Sequence, residues 1–257
     1  MKLYYAAKNY QPIDVWYSFY KTLGRLFLFI GIGLYVDSIY FSEIYPNGQW
    51  IANFAMFLMF WRAFSHGTKR SRELMIYAVL IGVGGEYLFS IGFEMYTYRL
   101  DRVPIYVPLG HAIIYIVTVY FTRRAAVKKF RVTIEKILIG CIIIYATLFL
   151  VFANDVFGFV MSLLVVWILR NKPRERLLYL SMYAVVAVLE IVGTSYQSWY
   201  WPDTAFGLVP FLKSANPPSG ICLFYFGLDL GCLWLYKQRH KIAWKRMKSI
   251  RLLHTKS

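Results

Sequence analysis

Acidic residues are scarce in this chain. Only 13 Asp and Glu stand against 29 Lys and Arg among 257 residues, and charged residues of both signs make up 16%. A soluble domain of this length has too little interior for the 59% of residues that are hydrophobic, 19% being aromatic. That balance excludes an ordinary soluble fold and makes lipid the solvent for much of the surface. Cysteine is equally thin. Cys141, Cys222 and Cys232 all fall inside apolar runs, show no metal-ligand spacing and offer no disulfide framework, which leaves them as small apolar filler. With four histidines, and no His-x3-His or Cys pair, a metal site is disfavoured, although carboxylates with one histidine would still suit a hard cation. No redox-cofactor motif, glycine-rich phosphate loop or nucleophile elbow is present, so no cofactor is expected. Residues 1–20 lack the apolar core of a cleavable signal, and the first span is expected to insert the chain.

What the sequence does contain is long apolar runs separated by short basic clusters, the pattern of an all-α, polytopic transmembrane helical bundle. Eight spans are expected, over 22–42, 50–65, 74–96, 106–122, 137–153, 156–170, 177–199 and 219–236. Several are short for a hydrocarbon core about 30 Å thick and would tilt or thin the bilayer. The formal net charge of +16 does not call for nucleic acid, because 26 of the cations fall on alternate connections and only Arg99, Arg102 and Lys213 on the others. The positive-inside rule then places both termini in the cytoplasm and implies the cell inner membrane, with membrane lipids as partners.

The two halves of the single membrane domain, 22–122 and 137–236, echo one another ahead of a basic tail at 237–257. Each carries an intramembrane glutamate, Glu86 or Glu190, followed by an aromatic-x-aromatic step, Tyr96 and Tyr98 or Trp199 and Trp201. Each then has a proline-bearing loop and restarts as Pro-x-Gly-x4-Tyr, at Pro108, Gly110 and Tyr115 and at Pro218, Gly220 and Tyr225. Four helices precede the end of each copy, so the repeats would be parallel, about an axis along the membrane normal.

An acid at the centre of a membrane helix costs at least about 2.5–3.5 kcal/mol, which makes each one a functional candidate. Glu86 and Glu190 fall near the middle of the third and seventh spans, Asp229 in the eighth, and Asp37 toward the outer end of the first. A pair of acids in unlike environments suits general acid–base chemistry, while hydrogen bonds that tie helices together are the alternative use. His111 is the one outer-side histidine, placed to join the acids or to bond a loop carbonyl. Tyr96, Tyr98, Trp199 and Trp201 suit an interfacial belt, or a substrate slot whose ring faces steady positive charge. The stretch "YWPDTAFGLVPFLKSANPPSG", stiffened by Pro202, Pro210, Pro217 and Pro218, is expected to cover an apolar cavity, with Asn216 as a polar contact there.

The first-half pattern, with Glu86, then "YTY", then "VPIYVPLGHA", resembles the carotenoid-biosynthesis hydratases (bisanhydrobacterioruberin hydratase and its relatives). In those polytopic proteins an acid precedes a Tyr-x-Tyr step and a "VP" loop. The likeness covers residues 80–120, with a fainter echo at 186–230. The chain departs from the family at Gly110 and His111, where a Trp is expected, and at "NPPSG". The resemblance implies a membrane lyase that hydrates a lipophilic, isoprenoid substrate. A proton-coupled carrier of a small or lipidic solute is the other reading of midplane acids in parallel repeats.

Overall fold

The computed structural model describes residues 10–242, Trp244 and Arg246, without the side chains at 228 and 229. Most of the basic tail, 237–257, therefore lies outside the described residues. The chain is mainly helical. In order come α1 (Pro12–Phe19), continued by a π-helical turn (Tyr20–Gly24) into α2 (Arg25–Val36), then α3 (Ile39–Ser42) and α4 (Gly48–His66). Next is α5 (Lys69–Glu86), extended by a second π-helical turn (Tyr87–Gly92), then β1 (Thr97–Tyr98), α6 (Tyr106–Thr122), α7 (Ala125–Lys129) and α8 (Arg131–Ala153). The remainder is α9 (Val156–Arg170), α10 (Arg176–Ser195), β2 (Trp199–Tyr200), β3 (Thr204–Ala205), β4 (Val209–Lys213) and α11 (Cys222–Arg239).

Among the described residues, four stretches are long and apolar enough to cross a membrane: Pro12–Val36, Lys69–Gly92, Arg131–Ala153 and Arg176–Ser195. Tyr106–Thr122 and Val156–Arg170 are apolar but shorter. Large apolar side chains cover the exterior of α8, among them Ile137, Ile144, Val151 and Phe152, the last 82% exposed. Such a surface is stable where lipid is the solvent, because there it has nothing to gain by burial.

Helix ends differ from the expected spans, and local chemistry says why. The first apolar run stops at Val36 because the Ser38 hydroxyl caps a new turn, accepting from the Phe41 N–H at 3.0 Å. Thr68 caps α5 in the same way, accepting from Ser71. Asn154 takes a left-handed conformation (φ 53°) that ends α8, and Asp155 caps α9 through the Gly158 N–H. The seventh run ends at Ser195, so Trp199 belongs to a strand rather than to the helix.

The interior is built around α6 and α10. Ala112, Ile113 and Ile116 of α6, and Leu180, Val185 and Val186 of α10, are almost wholly enclosed. α5 lies along α6 and α11, α4 and α10 also pack on α6, and α2 rests on α4 and α10. Outside the helices, β1 and β2 form an antiparallel pair that crosses between the two halves of the chain, with Thr97 opposite Tyr200 and Tyr98 opposite Trp199.

Candidate functional site

Glu86 is the last α-helical residue of α5, where the chain passes into the π-helical turn, an irregularity common at functional sites. It therefore sits about 9 Å below the end of that helix at Gly92, between the middle of the helix and that end. Its carboxylate is buried and fully engaged. Oε2 accepts from the Tyr96 and Tyr98 hydroxyls, both at 2.6 Å, and Oε1 lies 2.7 Å from His111 Nε2 on α6. Burial first, then the adjacent Glu86 charge, pushes the Tyr98 phenol well above its ordinary range, so it stays protonated and donates.

Glu190 likewise lies toward the end of α10 and is 3% exposed. Its Oε2 accepts from the indole N–H groups of Trp199 at 2.8 Å and Trp201 at 3.0 Å, while Oε1 accepts from the Tyr225 hydroxyl at 3.0 Å. Indole nitrogens only donate, so Oε2 has no place for a proton of its own. A proton on Glu190 is confined to Oε1, toward Tyr225. The Tyr225 ring in turn lies 5.0 Å, centroid to centroid, from the His111 ring, which links the two carboxylate cages.

The strand pair places the donors. Tyr98 faces Trp199 in register, and the Tyr96 and Trp201 rings meet at a tilt of 39° with centroids 4.5 Å apart. Each aromatic step is entered through a left-handed residue two positions earlier, Glu94 (φ 49°) and Gln197 (φ 55°). Gly193, one turn beyond Glu190, gives the Trp199 indole its room: a Cβ there would overlap the ring. These aromatics are therefore not a headgroup belt alone, since all four reach inward to a carboxylate.

Both glutamates, His111, Tyr225 and the four aromatics line one cavity of about 490 Å³. Its remaining wall is apolar, with Leu26, Ile30 and Leu34 of α2, Met56 of α4, Ile113 of α6 and Phe224 of α11. Gly33, Gly84 and Gly227 also line it, and a Cβ at any of these three would meet open space. That volume fits a drug-sized apolar group or one section of a long chain. A small set of convergent polar groups in such a pocket fixes orientation and supplies chemistry.

Two other buried aspartates, Asp37 and Asp155, hold connecting loops. Asp37 pairs with Arg99 at 2.8 Å, accepts from the Tyr106 hydroxyl at 2.6 Å and meets the Gln49 amide at 3.2 Å. Asp155 accepts from the backbone N–H groups of Gly158 (3.0 Å), Ala215 (3.1 Å) and Ser219 (2.7 Å). Asp155, Tyr106 and the donor role of Tyr225 were not found by sequence reasoning. The weak signal for Asp155 was an acid in the tight turn of "ANDVFG".

The loop from Tyr200 to Gly220 covers the cavity at its beginning, through Trp201. Beyond that it forms the β3–β4 hairpin, where Phe206 packs on Phe157 and Phe224 while Leu208 and Phe211 are 77% and 86% exposed. Asn216 does not line the cavity as expected; its Oδ1 accepts from the Trp201 backbone N–H at 3.0 Å and so holds the backbone that carries that indole. The side chain of Asp229, on α11, lies outside the described residues. Among the described residues, no group of three His, Cys, Asp or Glu stands together as metal ligands. Compared with known proteins, the chain matches no protein-family model, no curated protein and no solved structure.

Proposed function

We propose that this chain is an integral membrane enzyme that protonates a carbon–carbon double bond of a lipophilic substrate held in the cavity between Glu86 and Glu190. The observation that carries the reading is the pair of unlike cages on one apolar cavity. Glu86 shares a short hydrogen bond with His111, the one basic side chain bonded to either acid, and Glu190 is held as an acceptor by two indoles and a phenol. The Glu86–His111 pair supplies the proton, which passes to an alkene carbon and leaves a carbocation on its neighbour. Tyr and Trp ring faces and the Glu190 carboxylate steady that cation. In hydration, water adds to the cation and its extra proton passes to Glu190 Oε1, with Tyr225 turning to accept, and return of that proton to the Glu86–His111 pair completes the cycle.

The resemblance of residues 80–120 to the carotenoid-biosynthesis hydratases supports hydration, and an isoprenoid, as the specific case. In this reading the bundle has eight membrane-embedded helices in two parallel four-helix halves. Support comes from the strand pair, in which Tyr96 and Trp199, equivalent in the repeat, face Trp201 and Tyr98, equivalent in turn. The matched left-handed residues Glu94 and Gln197 add to it. The distribution of Lys and Arg supports cytoplasmic termini and, in a bacterial host, the inner membrane.

The test is untargeted lipid mass spectrometry on host cells making the wild type, Glu86→Gln or Glu190→Gln at equal levels. A lipid species that differs from a host lipid by one water, present with the wild type and absent with both variants, is the expected result. An unchanged lipid profile, with an imposed proton gradient driving solute flux, would replace the enzyme by the carrier.

A further inference from the structure

A second recess, of about 530 Å³, opens at the opposite end of the bundle from the strand pair, between the start of α2, the last turns of α4 and the end of α6. Lys21, Arg25, Arg123 and Arg124 surround it, the Thr22 and Tyr120 side chains contribute to its wall, and Leu26, Met59 and Val117 form its apolar part. Among the described residues, no carboxylate lines it. Elsewhere cations have carboxylate partners: Arg99 has Asp37, Arg131 and Arg176 have Glu135, and Arg239 and His240 have Glu73. Among the described residues, none of the four cations of the recess makes an ion pair, and the Lys21 ammonium lies over the Tyr17 ring, 4.2 Å from its centroid.

We infer that this recess is a binding site for the phosphate head of an anionic lipid, separate from the chemistry proposed for the central cavity. The four cations are exposed and line one concavity, where they repel one another, and an anion held between them relieves that repulsion. Guanidinium groups match phosphate oxygens in pairs, and basic pockets between membrane helices take lipid head groups in this way. The apolar part of the wall selects a lipid over a soluble phosphate, because a free ion gains nothing from Leu26, Met59 and Val117. Leu26 also lines the central cavity, so a chain leaving the head group meets a wall common to both spaces. Tyr120 and His111 lie about 14 Å apart along α6, the depth that separates the head group from the carboxylate cages.

The test is native mass spectrometry of the full chain in neutral detergent, titrated with phosphatidic acid or phosphatidylcholine, and with inorganic pyrophosphate as competitor. The wild type is expected to bind phosphatidic acid at least tenfold more tightly than phosphatidylcholine. Arg25→Gln with Arg123→Gln removes that preference, whereas Lys128→Gln with Lys136→Gln, an equal loss of exposed charge outside the recess, keeps it within twofold. Matching thermal unfolding of both double variants and the wild type excludes misfolding as the cause. Equal loss in the two double variants, or no preference in the wild type, overturns the site. Displacement of phosphatidic acid by pyrophosphate at lower concentration than the lipid itself assigns the recess to a soluble phosphate and overturns the lipid assignment. Lipid binding that survives pyrophosphate supports it.

Discussion

The two oxygens of Glu190 make opposite predictions for two substitutions of similar size. In Glu190→Gln the amide oxygen takes the place of Oε2 and still accepts from Trp199 and Trp201, while the new NH2 faces the Tyr225 hydroxyl, which rotates to accept. All three hydrogen bonds persist. Their loss of charge assistance, about 1 kcal/mol each, is offset by no longer burying a carboxylate, so net stability changes by less than about 2 kcal/mol. In Glu190→Leu two indole N–H groups stay buried with no acceptor. Each costs about 1–3 kcal/mol, so the fold loses about 2–6 kcal/mol. The assay is denaturant unfolding of purified protein in detergent, followed by tryptophan fluorescence, since Trp199 and Trp201 report on the site. Glu190→Gln should unfold close to the wild type yet form no product, and Glu190→Leu well before it. Equal destabilisation by the two variants would mean that the buried charge itself holds the fold. Full conversion by Glu190→Gln would refute any chemical role for this acid.

Other substitutions separate positioning from support. Gly193→Ala drives the Trp199 indole off Glu190 and should lower product formation at least tenfold, as Trp199→Phe does, with altered tryptophan fluorescence as the check. Tyr225→Phe keeps the ring beside His111 but removes the donor to Glu190 Oε1; product should fall at least tenfold while unfolding shifts by no more than about 1.5 kcal/mol. Asp37→Asn leaves the nearly buried Arg99 without its counter-charge and should cost about 3–5 kcal/mol, measured by the same unfolding assay. Asp155→Ala releases the Gly158, Ala215 and Ser219 amides and should open the connection from 200 to 220 to limited proteolysis, with cleavage there before any in the helices.

Much of the site was legible because lipid makes polar residues conspicuous. Glu86 and Glu190 stand out in apolar runs, and the ordered echo of aromatics and prolines draws Tyr96, Tyr98, Trp199 and Trp201 to them. What sequence cannot express is where a through-space partner sits. Tyr225 donates to an acid 35 residues away, and Asp155 bonds backbone amides, which carry no residue signature. Asn216 looked like a cavity contact because a lone amide in an apolar loop invites one, yet its partner is the Trp201 backbone. Helix ends were misplaced where hydropathy continues past the helix. Tyr96 and Trp199 are as apolar as helical neighbours, and the turns before them run through Glu94 and Gln197, where a left-handed backbone without glycine gives no warning. The long helices α5, α8 and α10 were clearest, since length and composition alone identify a membrane-crossing segment.

Proton transfer to carbon leaves a mark that transport does not. Membrane vesicles containing the protein, incubated in heavy water, should acquire deuterium at a non-exchangeable carbon position of one lipid species, read by mass spectrometry after return to ordinary water. The account predicts that label with the wild type and its absence with Glu86→Gln and Glu190→Gln. No label with the wild type in membranes where its lipid product accumulates, or equal label with all three proteins, would contradict acid–base chemistry at the Glu86–Glu190 cavity.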